Sequence, residues 1–135
     1  MNGMSELDRL LAALAPRLVE GEFVFCTLAS RSVPAGLSPV AVFEEAEGTT
    51  VICRRESAAA AGLGFEGAFR QITLTVHSSL HAVGLLAAVS SALARGGIAC
   101  NAVSGFHHDH LFVPSARADQ ALTVLAELAA AHRMR

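Results

Sequence analysis

The chain contains no tryptophan and no tyrosine, and it also lacks lysine, so all ten of its basic residues are arginine. The arginines are scattered, Arg54 and Arg55 being the densest pair, and they offer no clustered positive field to a phosphate backbone. Without Trp and Tyr, only Phe and His remain for base stacking. We therefore expect no nucleic-acid partner. Charge of either sign is also sparse: 16% of the 135 residues are charged, against about 25% in an average domain, and 53% are hydrophobic. A small monomer does not easily hide that much apolar surface, so we expect self-association, most simply a homodimer. The competing explanation is that alanine inflates the total. Long apolar runs are missing too: no uncharged stretch approaches the roughly 20 residues of a membrane span. Glu6, Asp8 and Arg9 interrupt the first apolar segment, unlike an export signal. We expect no membrane partner and a cytoplasmic location. Three cysteines (Cys26, Cys53 and Cys100) cannot all pair within one chain, and each lies in an apolar context that fits a reduced, buried thiol.

Ser5-Glu6-Leu7-Asp8 is a capping-box-like helix start, followed by Leu7, Leu10, Leu11 and Leu14 at helical spacing. Pro16 and Gly21 end the regular helix near Ala15. Residues 22–28 read as a strand covered on both faces, and 31–39 have the Ser, Pro and Gly density of a loop. Short strands at 40–44 and 49–54 flank a turn at Glu47-Gly48, which predicts a hairpin. A short helix follows at 57–61. From Phe69 the alternation of Ile72, Leu74 and Val76 with Thr73 and Thr75 predicts a strand. A helix is expected from Ser79 to Arg95, stopped by Gly96-Gly97. Strands at 98–104 and 110–113 and a final helix opened by Pro114-Ser115 complete the pattern. The class is α+β, with helices on one face of an antiparallel sheet. The order from Phe69 onward is βαββα, close to a ferredoxin-like unit whose last strand must come from elsewhere. No low-complexity linker is present, and we expect two interlocked halves, 1–66 and 67–135.

Four motifs bear on chemistry. Gly62-Leu63-Gly64-Phe65-Glu66-Gly67 has the letters of a dinucleotide fingerprint, but it follows a helix and precedes a strand, the reverse of what the mechanism needs. It reads as a connection. His107-His108-Asp109-His110 offers metal-ligand types, yet only His108 and His110 share a strand face, and a third ligand would have to come from His77, His81 or a partner chain. A polar hairpin turn is the preferred reading. Ser78, Ser79 and His81 lack the Gly-flanked nucleophile elbow and an orienting acid, so no catalytic residue is assigned. The same turn suits binding: amides at the start of a helix favour a carboxylate, and Gly84 permits close approach of a ligand or tight packing of the helix on the sheet.

These segments together resemble a known family. Ile72 to Val76, the turn His77 to Leu80, the helix through Arg95, Gly96-Gly97-Ile98, the strand to Ser104 and the strand Leu111 to Val113 follow one another as in an ACT regulatory domain. The Gly-Ile followed by a strand ending in Ser is similar to the regulatory region of aspartate kinases. The whole chain resembles small stand-alone bacterial proteins with two ACT-like halves and, more distantly, the paired-ACT arginine sensors of animals. The resemblance implies a non-catalytic module that binds an amino acid near a domain interface, without a cofactor. The positions matching the family's ligand-binding segments are His77, Ser78, Ser79, His81, Val83 and Gly84, with Asn101, Ala102, Val103 and Ser104 opposite. A ligand carboxylate would meet the amides of Ser79 and Leu80. The turn reads His-Ser-Ser where many amino-acid-binding members carry an acid and a Pro-Gly pair.

The expectation is thus a regulatory protein sensing a free amino acid or similar small carboxylate. The alternatives are a structural interaction domain with no ligand and a His-based metal site.

Overall fold

The computed structural model describes residues 5–134. They form two compact units, one from the segments before Glu20 and after Arg70, the other from Glu20–Arg70. The first unit is interrupted in sequence by the second.

In the first unit, helix α1 (Glu6–Ala12) begins where its cap predicts, with the Ser5 hydroxyl accepting from the Asp8 amide at 3.0 Å. The chain then forms strand β1 (Pro16–Leu18), which the sequence pattern does not reveal. β1 pairs antiparallel with strand β5 (Phe69–Leu74), Pro16 opposite Leu74 and Leu18 opposite Ile72. The Val19 amide to Gln71 carbonyl bond and the Thr75 amide to Ala15 carbonyl bond extend the ladder at both ends. Pro16 fits here because the first residue of an outer strand need not donate to a ladder. Helix α3 (Leu85–Arg95), strand β6 (Asn101–Ser104), strand β7 (Asp109–Pro114) and helix α4 (Ala118–Arg133) follow. The order in this unit is β1-β5-β7-β6, so β1 supplies the last strand missing from the βαββα run.

Strand alternation sends Ile72, Leu74, Leu111 and Val113 into one core with Val89 and Leu93 of α3 and Leu125 of α4, all fully buried. Leu11 of α1 joins the same core. The helices are tied by polar contacts at their ends. Asp8 Oδ1 meets His132 Nδ1 at 2.9 Å, Arg133 donates to the Ala12 carbonyl, and Arg117 donates to the carbonyls of Gly96 and Gly97 at the end of α3.

In the second unit, strand β2 (Phe23–Leu28) pairs antiparallel with β4 (Thr49–Arg54), which pairs with β3 (Ala41–Glu44). Phe23 of β2 opposes Phe69, which with Arg70 forms the start of β5 and belongs to this second unit, giving the order β3-β4-β2 and then the start of β5. The predicted hairpin is present, with Gly48 at φ +156° in its turn. A short helix α2 (Arg55–Ala60) follows β4, and residues 62–67 connect it to β5, as the reversed order of the glycine motif requires. β2 is covered on both faces only at its start: Val24, Cys26 and Leu28 are buried on one face, and on the other Phe23 is buried, Phe25 is half-buried edge-on against Phe69, and Thr27 is exposed. Cys26 and Cys53 are free, buried neighbours; burial pushes the Cys53 thiol up to about 11, with Cys26 adding to the shift. Cys100, in the first unit, is free and half-buried.

No helix among the described residues is long and apolar enough to cross a membrane.

Candidate functional site

The helix expected to begin at Ser79 begins at Leu85. Residues before it are held in a turn by Ser79 itself, whose hydroxyl accepts from the His81 amide at 2.9 Å and whose carbonyl accepts from the Ala82 amide at 3.0 Å. Gly84, at φ +99°, then makes the entry to the helix, a left-handed conformation that glycine adopts without strain. A Cβ at Gly84 would come within 3.0 Å of Leu7, so both a backbone and a packing demand fall on this position. The helix N-terminus, with its free amides, therefore lies at Leu85 and not at Ser79.

A cavity of about 150 Å³ opens beside this turn. One wall is Ser78, Ser79, Leu80 and Ala82, backed by Leu85 and Leu86 of α3. The opposite wall is the end of β6 and the following turn: Ser104, Gly105, His107, His108 and Asp109. All of these residues belong to the first unit. The turn is closed by the Gly105 amide donating to the His108 carbonyl at 2.9 Å, and a Cβ at Gly105 would sit 3.2 Å from that same carbonyl. The Ser104 hydroxyl donates to Asp109 Oδ1 at 2.6 Å, which fixes the carboxylate at the cavity wall. His77 and His108 face each other with ring centroids 5.0 Å apart. Nδ1 of His108 is enclosed without a hydrogen-bond partner among the described residues.

His110 points to the other side of β7, where Nδ1 lies 3.0 Å from Thr73 Oγ1 and 3.3 Å from Gln71 Nε2. Burial pulls its pKa below the ordinary imidazole value, His108 lowers it further, and Asp109 partly opposes the shift. Among the described residues, no group of three or more His, Cys, Asp or Glu side chains could hold a metal ion.

The expected ligand-binding residues are distributed as follows. Ser78, Ser79, Leu80 and Ser104 line this cavity. His77, His81 and Val83 line a neighbouring, larger hollow of about 410 Å³ against Glu6, Leu7 and Leu10 of α1. Gly84 shapes the turn. Asn101, Ala102 and Val103 are exposed along β6 and line neither cavity. Sequence reasoning did not include Gly105, His107, His108 or Asp109 in the binding set. The only available signal was that the histidine run begins three residues after Ser104.

Family models describing an ACT domain match residues 2–70 and 67–127. Among solved structures, a Vibrio cholerae protein of unknown function, described as a possible transport protein, is 45% identical, with a TM-score of 0.84 over 91% of this chain and 95% of that one. A protein from Agrobacterium tumefaciens is 21% identical, with a TM-score of 0.75 over 86% and 89% of the two chains. The regulatory subunit of aspartate kinase from Thermus thermophilus is 11% identical, with a TM-score of 0.60 over 84% and 95%. The last two likenesses establish the fold. No curated protein matches. Together, the family matches and the two ferredoxin-like strand orders support a regulatory, ligand-binding role in general terms. The chain belongs to the ACT-domain family.

Proposed function

We propose that the protein is a non-catalytic cytoplasmic sensor that binds a free amino acid, or a similar small carboxylate, in the cavity between the 78–82 turn and the β6–β7 turn. The observation that carries this reading is the convergence of Ser78, Ser79 and Ser104 on one cavity beside the start of α3. Seryl hydroxyls donate and accept, so they can meet a carboxylate on one side of a ligand and an amino group on the other. A small concave site with a few convergent polar groups against apolar helix residues is the usual form of a metabolite site. Residues Asn101 to Val103 take a different role in this reading. They lie on β6, at the end of the strand order, where an unpaired backbone edge and an exposed Val103 suit pairing with a second copy in a homodimer.

The test is a thermal-shift panel of the twenty amino acids at millimolar concentration. A ligand present at a hundred times its Kd adds about 2.7 kcal/mol of stability, which is a readily measured rise in Tm. A selective response supports the sensor; a flat panel removes it and leaves an interaction domain, for which the exposed β6 edge is the supporting observation.

A further inference from the structure

Away from the serine turn, α3 and α4 pack together and leave a groove between them. Its floor comes from residues at helical spacing: Ala92 and Gly96 near the end of α3, and Val124, Leu128 and Ala131 on α4. The helices meet closely there, since a Cβ at Gly96 would lie 3.6 Å from Val124. Val124 and Leu128 are only half-buried, so part of their apolar surface stays uncovered. The outward faces beside the groove are poor in charge as well: Ala87 and Ala94 are exposed on α3, Ala126 and Ala130 on α4. A helix face turned to solvent normally carries polar and charged residues. Depletion of charge is instead a mark of an interface core. The groove itself has two charges, one on each side. Arg95 stands on the α3 rim and Glu127 on the α4 rim, both exposed, and among the described residues neither has an ion-pair partner.

We propose that this groove is the face on which two copies of the chain pair, with Arg95 of each meeting the partner's Glu127. A two-fold axis along the groove carries α3 of one copy over α4 of the other, so each rim faces a rim of opposite sign. A partner bearing one sign of charge would match one rim and oppose the other, which favours a second copy as the occupant. The small floor residues let facing helices approach to the usual separation of about 8–10 Å. This assigns the homodimer a face apart from the open edge of β6, and it is independent of the amino-acid site.

The experiment is analytical sedimentation of the full chain at micromolar concentration, unmodified and with each charge reversed. Arg95→Glu presents two acids at the rims and Glu127→Arg two bases, so each variant alone opposes its own copy. Either reversal is expected to weaken association about tenfold or more and to halve the mass of the assembly. Mixed in equal amounts, the two variants should restore it, because acids then face bases on both rims. A salt bridge within one chain would not produce that recovery. Nor would pairing along β6, which neither substitution touches. A second measurement needs no variant: hydroxyl-radical footprinting of the unmodified chain, across the concentrations at which it assembles, should show Leu128 protected and Val103 unchanged. The proposal is overturned by a chain that stays monomeric, by reversals that keep the full mass, or by a mixture of folded variants that fails to reassemble. Protection of Val103 in place of Leu128 also overturns it and moves the contact to β6. None of these outcomes bears on whether an amino acid binds.

Discussion

The two units use the same strand order but join their first and second strands differently. In the unit holding β5, residues 75–100 carry a polar turn and then the eleven-residue helix α3. In the unit holding β2, residues 29–40 carry only one turn of 3-10 helix, Ala35–Leu37, and Leu37 is buried to 1% exposure against Val24, Cys26 and Val51. Composition explains the difference. Leu85 to Arg95 is made largely of leucine and alanine, strong helix formers, while Pro34, Gly36, Pro39 and three serines interrupt the other connection. What the comparison teaches is that the sheet needs an apolar cover and does not need that cover to be a helix. In the second core the loop leucine, Leu37, shares the cover with Ala58 of α2 and the partly buried Val33, Leu63, Phe65 and Ala68. The helical version does more, because the irregular turn leading into α3 places hydroxyls beside the end of β6.

The comparison is easiest to break in the two cores. Leu93→Ala in α3 and Leu37→Ala in the loop should each cost about 2–5 kcal/mol in urea denaturation, since both side chains are fully enclosed. If Leu37→Ala costs under about 1 kcal/mol, the loop leucine is not the counterpart of the helix. A smaller effect separates the two hairpins. A Cβ at Gly48 would lie 2.8 Å from the Leu28 carbonyl, at a φ that other residues rarely adopt, whereas at Gly105 the nearest approach is 3.2 Å. Gly48→Ala should therefore lower stability by about 1–3 kcal/mol and Gly105→Ala by less. Equal losses in melting experiments would show that backbone conformation does not distinguish the turns.

The smallest expected effect concerns pH. All six histidines (His77, His81, His107, His108, His110 and His132) fall in the first unit and none in residues 20–70. His110 has a folded pKa depressed by burial and by His108, so between its folded and unfolded values the unfolded chain binds more protons. Its contribution is neutral in effect above the ordinary imidazole value of 6.5 and becomes destabilising as pH falls below it. Hydrogen exchange compared at pH 7.5 and 5.5 should show faster opening of β5 and β7 than of β2 and β4. His110→Gln should reduce that difference. An unchanged difference in His110→Gln would assign the acid sensitivity to other groups.

Much of the fold was legible because it rests on local signals. The Ser5 cap, β4 at Thr49–Arg54, the Gly48 hairpin and the stop at Gly96 each follow from residues within a few positions of one another. β1 was not legible. Pro16-Arg17-Leu18 is too short to show a period, and its extended form depends on Ile72 to Leu74, more than fifty residues away. The start of α3 was misplaced because Ser78 and Ser79 satisfy the pattern of a helix cap, while Ser79 instead bonds the amides of His81 and Ala82 within a turn.

The βαββα order, the polar turn ahead of α3 and the likeness to ACT domains were determined by the sequence itself, since hydrophobic period and turn chemistry are local properties of the chain. Which residues face one another was decided only by the tertiary structure. Ser78 and Asp109 are thirty-one positions apart, and no local propensity carries information about contacts at that separation. Their meeting in one cavity depends on the register of β6 with β7 and on how α3 leaves its turn, both of which are set by the packing of the core.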